Sequence, residues 1–171
     1  MKEAIDYIFE EYCENGKKRK LFGAAISLGA GILANYIAKE GHNCPLTAAF
    51  NVGCHFDTIK AMEYLSANMF GFYDFVLGMF TKSTSKAWLK QYDELVQKKY
   101  PDRVVSHEND KVLKLSSDFS KLLAKIAGYK TVKDYFIDAS VTPRMKNIKI
   151  PTFFLSALDD TFMGPDVIPI D

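Results

Sequence analysis

Cysteine is scarce in this chain, and the three present, Cys13, Cys44 and Cys54, form no C-x-x-C pair. So few and so irregularly spaced, they give no disulfide framework and point to free thiols in a reducing compartment. An excess of one charge is also missing. Lys and Arg number 22 against 21 Asp and Glu, a net charge of +1, which leaves no footprint for nucleic acid or an anionic membrane. No secretory leader is expected from the opening residues, because Lys2, Glu3 and Asp6 begin an amphipathic helix where an apolar run would stand. No lysine falls between Lys20 and Lys39, so the glycines of that stretch make no phosphate-binding P-loop. The one dense basic run, Lys17-Lys18-Arg19-Lys20, follows the helix-stop pair Asn15-Gly16 and reads as a solvated turn. What remains is ordinary for a globular domain: 171 residues, 48% apolar and 25% charged, enough for a substantial single core.

The informative stretch is Lys20–Lys39, KLFGAAISLGAGILANYIAK. Leu21 to Ile26 is apolar and strand-like, Ser27-Leu28-Gly29 is a sharp turn, and Ile32 to Ala38 is an apolar helix. A serine between a short strand and a helix, flanked by small residues two positions away on each side, has the form of a nucleophile elbow. The reason is steric. The elbow strains the serine's backbone and brings positions minus two and plus two too close for large side chains. Here those positions are Ala25 and Gly29, so G-x-S-x-G becomes A-I-S-L-G. Other readings fit less well. Gly29, Gly31 and Ala34 match the alanine form of a dinucleotide fingerprint, yet the next strand ends on Cys54-His55 rather than on an acid for the ribose. Leu21–Ala38 is uncharged and long enough to span a bilayer, but three glycines, Ser27 and Asn35 suit a strand and helix better. A strand–turn–helix whose serine does nothing stays open beside the catalytic reading.

Taken in order, Met1–Asn15 reads as a surface helix with Ile5, Ile8, Phe9 and Tyr12 on one face. Leu46–Cys54 is nearly all apolar, as a buried parallel strand should be. From Asp57 onward the pattern is helical: a segment with Ile59, Met62, Tyr64 and Leu65, an aromatic stretch Phe70–Phe80 interrupted by Gly71 and Gly78, and a helix Ser85–Tyr100 ended by Pro101. Asp102–Lys111 reads as a polar loop, Ser117 opens another helix closed by Gly128, and Thr131-x-x-Asp134 resembles a capping box. Ile148–Leu158 returns to strand composition, with Pro151 near its start and Asp159-Asp160 at its far edge. The expected fold is α/β: a parallel sheet flanked by helices, with a core from 1–56 and 148–171 and a helical cap, 57–147, inserted after the second strand. Phe70, Phe72 and Phe75 are candidates to line an apolar substrate pocket.

Active sites of parallel sheets gather at the C-terminal strand edge, and serine, acid and histidine follow in that order along this kind of fold. Ser27 and Asp159 or Asp160 obey the order. The Leu28 backbone N–H, at a helix start, is one oxyanion donor. The histidines are His42, His55 and His107, all before the acid. His55 alone ends a strand on the serine's edge, where it reads as a packing residue, so the base of the triad is left unassigned.

With LFGAAISLGAGILANYIAKEG, NCPLTAAFNVGCHFD, YKTVKDYFIDAS, MKNIKIPTFFLSALDD and the closing VIPI on the page, the chain resembles the AB hydrolase 4 family of α/β-hydrolases. That family takes in bacterial YheT hydrolases and eukaryotic membrane-anchored phospholipase-like proteins. Its members read GFSLGGNIL at the elbow and N-A-x-D-D-P-F near the acid; this chain departs at Ala25, Ile26, Ala30, Gly31, Ser156 and Thr161. The resemblance implies a serine esterase or lipase acting on acylglycerol or phospholipid esters, with Ser27 the nucleophile, Asp160 the acid (Asp159 the alternative) and no metal or cofactor. It also implies membrane association of the full-length protein. The family's histidine lies in a G-G-H-x-G-F segment and its second oxyanion donor in an HGL-type loop, both outside this stretch. The chain is therefore expected to be the middle and cap of a longer hydrolase, with little activity of its own. The alternative is a non-catalytic, hydrolase-like binder of lipid or protein.

Overall fold

The structure, a computed structural model, describes residues 1–15, 17–99 and 116–170. Helix α1 spans Lys2–Cys13, strand β1 Phe22–Ile26, helix α2 Leu28–Glu40 and strand β2 Ala48–Val52. Four further helices follow: α3 Thr58–Ala67, α4 Phe72–Lys99, α5 Ser116–Ile126 and α6 Val132–Ala139. Strand β3, Thr152–Leu155, comes last. The strands form a parallel sheet in the order β1-β2-β3, with Ala25 opposite Asn51 and Asn51 opposite Phe154. All three therefore end at one edge, and the turns after them are neighbours.

One sheet face is covered. Gly23, Ala25, Ala49 and Asn51 share it with Phe154, and the small residues let α2 lie close: a side-chain carbon at Gly23 would sit 3.0 Å from Leu33 Cδ2. Leu33, Tyr36 and Ile37 pack there with Leu46 and Ala49, and Ile5 of α1 joins them. A second cluster, Ala30, Ala34, Cys54, Phe56, Ala61 and Val141, joins the sheet edge to the helices that follow it. Phe56 is fully buried, its ring 5.0 Å from that of Phe154. Burial also pushes the Cys54 thiol up to about 12, which removes it from nucleophilic chemistry near neutral pH.

The other sheet face is bare. Phe22, Ile26, Phe50, Phe153 and Leu155 are all exposed there, with Phe50 and Phe153 stacked at 5.2 Å. The expectation of a strand buried on both faces thus fails for β2, whose burial alternates because no described element packs on that side. The α1 pattern also differs from expectation, since Ile8 and Tyr12 are exposed while Ile5 and Cys13 turn inward. The aromatic stretch expected to be interrupted at Gly78 and the helix expected from Ser85 belong to one helix, α4, which runs through Gly78. Its glycine costs only about 1 kcal/mol against alanine, too little to break a helix of 28 residues. Gly16, the expected loop 102–111 and His107 lie outside the described residues.

Asp138 ties the helical segment back to α2. Its carboxylate accepts from Lys39 Nζ at 2.7 Å, Tyr129 OH at 2.6 Å and Arg144 Nη2 at 2.8 Å. Its carbonyl accepts from Asn35 Nδ2 at 2.6 Å and Arg144 Nη1 at 3.0 Å. Burial opposes its ionisation, but the hydrogen bonds and positive charges of Lys39 and Arg144, with Tyr129, outweigh that and hold the carboxyl below its ordinary value of 3.8. A depressed folded pKa stabilises the fold above the unfolded value, and that stability goes as pH falls through the folded one. Asp138→Asn should therefore lose about 1–3 kcal/mol at neutral pH. Urea midpoints measured against pH should show the wild-type advantage shrinking below about pH 4; an advantage constant into acid would contradict the assignment.

Candidate active site

Ser27 occupies the turn between β1 and α2 with φ 54° and ψ −125°, a left-handed conformation that a side chain seldom adopts. The neighbours impose it. Its N–H donates to Val52 O at 2.8 Å, extending the β1–β2 ladder, while its carbonyl accepts from Ala30 N at 2.9 Å and Gly31 N at 3.3 Å to start the helix. The chain must change from strand to helix within one residue. A side-chain carbon at Gly29 would lie 3.8 Å from Ala25 Cβ, so positions minus two and plus two do face each other, and alanine fits at the first. Ser27 makes no side-chain cap to α2; the residue is exposed and borders a cavity of about 640 Å³.

The cavity is mainly apolar. Leu28 and Ile32 of α2 form one wall, Leu65 of α3 and Leu77 of α4 another, and Phe162 a third. Leu28 begins α2, so its backbone N–H is among the first-turn donors that lack an intrahelical acceptor and carry the positive end of the helix dipole. Such an N–H beside a serine hydroxyl is chemically suited to hold a developing oxyanion.

The remaining candidates fall in different places. Asp160 follows β3, and its Oδ1 accepts from Phe162 N at 2.8 Å and Met163 N at 3.2 Å. Phe162 and Met163 border the cavity whereas Asp160 itself does not, and Asp159 is exposed. Phe70, Phe72 and Phe75, expected to line a substrate pocket, are all exposed, and none of them borders this cavity. Helical periodicity explains it. Phe72, Phe75, Val76, Met79 and Phe80 form one stripe of α4 that faces outward, and Leu77 and Thr81, about half a turn away, face the cavity. The aromatic composition revealed a stripe but not its direction. His42 lies in the short turn after α2, exposed and away from the site.

His55 borders the cavity with Ser27. Its ring rests against Gly31, in the first turn of α2: a side-chain carbon there would fall 2.5 Å from Nε2 and 2.8 Å from Nδ1, closer than such atoms come. Gly31, a departure in the elbow motif, is thus where the imidazole sits. Burial pushes the ring's pKa below its ordinary 6.5, so it is neutral near pH 7.

Compared with known proteins, the chain matches no family model and no solved structure. It is 31% identical over 156 residues to the human protein named Phospholipase ABHD3, covering 86% of this chain and 34% of that one. The protein named Monoacylglycerol lipase in Saccharomyces cerevisiae is 29% identical over 169 residues, covering 94% and 36%. YheT of Escherichia coli is 28% identical over 144 residues, covering 84% and 40%. The chain thus spans about a third of the length of the curated relatives it matches.

The strained turn yields a stability test. A conformation like that of Ser27 costs about 1–3 kcal/mol, and glycine relieves it while losing about 0.5–1 kcal/mol to chain entropy. Ser27→Gly should be more stable than Ser27→Ala by about 1 kcal/mol in urea denaturation. A glycine variant less stable than the alanine one would show the turn to be unstrained.

Proposed function

From a chain that belongs to the α/β-hydrolase family, we propose a serine carboxylic-ester hydrolase centre that acts on acyl esters of the acylglycerol or phospholipid kind. The observation that carries this reading is the strained Ser27 at the end of β1, a residue that makes no side-chain helix cap and borders an apolar cavity. Ser27 Oγ is the nucleophile that attacks the acyl carbon, and the Leu28 N–H stabilises the oxyanion that results. Asp160, with Asp159 as the alternative, is the acid that orients an imidazole. The oily cavity takes the acyl chain, and the polar Ser27 rim takes the ester. We read 57–147 as a cap over a core built from 1–56 and 148–171, which puts the cavity at their junction. The names of the relatives, a phospholipase and a lipase, support the substrate class. A second reading keeps the cavity as a lipid-binding pocket without catalysis, favoured by its apolar lining.

A fluorophosphonate probe distinguishes the two. The full-length protein should be labelled covalently at Ser27, with labelling abolished in Ser27→Ala while far-UV circular dichroism stays unchanged. A folded chain that binds a fluorescent fatty acyl ligand yet never labels would support the binder and defeat the esterase.

A further inference from the structure

The loop after β3 is held from the helical segment, and one of these contacts reaches the Asp160 carboxylate through a single peptide group. Asn68 Nδ2 donates to Thr161 O at 2.8 Å. The N–H of that same peptide unit belongs to Phe162, and it donates to Asp160 Oδ1 at 2.8 Å. A peptide group is planar and rigid, so fixing its carbonyl fixes the direction of its N–H and, with it, the seat of the carboxylate. A bond accepted at the carbonyl also polarises the N–H and strengthens the bond it gives. Met163 N adds a second bond to Oδ1 at 3.2 Å. Oδ2 accepts no hydrogen bond among the described residues, which leaves it for an imidazole N–H.

The backbone around Asn68 is arranged to keep this reach. Helix α3 ends at Ala67, and Asn68 leaves it with φ −65° and ψ 131°. Met69 and Phe70 follow with φ 47° and 55°, left-handed values that persist in residues with side chains only where the surroundings hold them. The same loop is gripped again on either side of Asn68. One turn earlier in α3, Tyr64 lies on Gly164, where a side-chain carbon would come 2.6 Å from the ring. Beyond the turn, the Tyr73 ring meets that of Phe162 edge-on at 5.5 Å. Those two contacts set distance, and the Asn68 amide adds direction. Asn68 does not border the cavity, so it has no direct part in holding an acyl chain.

We propose that Asn68 is a positioning residue for Asp160, a role that rests on the serine-hydrolase reading above. It acts through the Thr161–Phe162 peptide and keeps the carboxylate oriented for the imidazole that serves Ser27.

The test is the rate at which a fluorophosphonate labels Ser27 in the full-length protein. Asn68→Ala and Asn68→Asp, which lack the donor, should label at least about tenfold more slowly than the wild type. Asn68→Gln, which keeps it, should label faster than either. A double-mutant cycle then separates positioning from general loosening. In an Asp160→Asn background, where the amide oxygen still takes both backbone bonds, Asn68→Ala should cost less than about twofold, because no carboxylate is left to orient. In an Asp159→Asn background it should keep its full effect. An undiminished loss in the Asp160→Asn background overturns the assignment, and so does Asn68→Ala labelling within about threefold of the wild type. Either result leaves the hydrolase reading standing, whereas a wild-type protein that never labels overturns both. The bond is exposed, so the variants should keep the wild-type far-UV circular dichroism. Were Asn68→Ala to unfold, the isosteric Asn68→Asp carries the same cycle with the same outcomes.

Discussion

The left-handed backbone at Ser27 is the constraint on which the rest of the site depends. It is fixed from both sides, by the ladder bond to Val52 before it and by the bonds that Ala30 and Gly31 make to its carbonyl after it. Neither side can relax without loss: the first would unpair β1 from β2, the second would unwind the start of α2. Strain held in this way is stable because the surrounding hydrogen bonds over-determine it. Ser27 and Leu28, the first residue of α2, both border one cavity.

The sharp strand-to-helix turn at Ser27 was legible in the sequence because its rule is local. Small residues two positions before and after a turn serine are a steric requirement of that turn, and Ala25 and Gly29 satisfy it with 3.8 Å between the positions. The parallel strands were legible for a similar reason, as short apolar runs at the expected spacing from a helix. What could not be read was anything set by adjacency between distant segments. The outward stripe of α4 has helical periodicity whether it faces solvent or a pocket, and Phe70, Phe72 and Phe75 gave no sign of which. The bare sheet face was invisible because an apolar strand has the same composition with one covered side as with two. His55 follows β2, between the turns that carry the serine and the acids, an adjacency that only the order β1-β2-β3 sets. A signal did exist, since Gly31 departs from the usual elbow motif, and that glycine makes room for the ring.

The Asp138 knot shows how the helical segment keeps its position over the sheet edge. Apolar contacts such as those of Val141 and Phe56 bring α6 close to α2 and α3, but they are non-directional and would tolerate sliding. Directional bonds from Asn35, Lys39, Tyr129 and Arg144 fix one register. Because Asn35, Lys39 and Asp138 also border the cavity, the polar network that sets this register forms part of the cavity's own wall.

The bare side of the sheet has a consequence in surface chemistry. Among the described residues, a face coated in phenylalanine, isoleucine and leucine is one that oil or detergent wets more readily than water, and contact made there crowds apolar surface together. With a net charge of only +1, little Coulomb repulsion opposes such crowding.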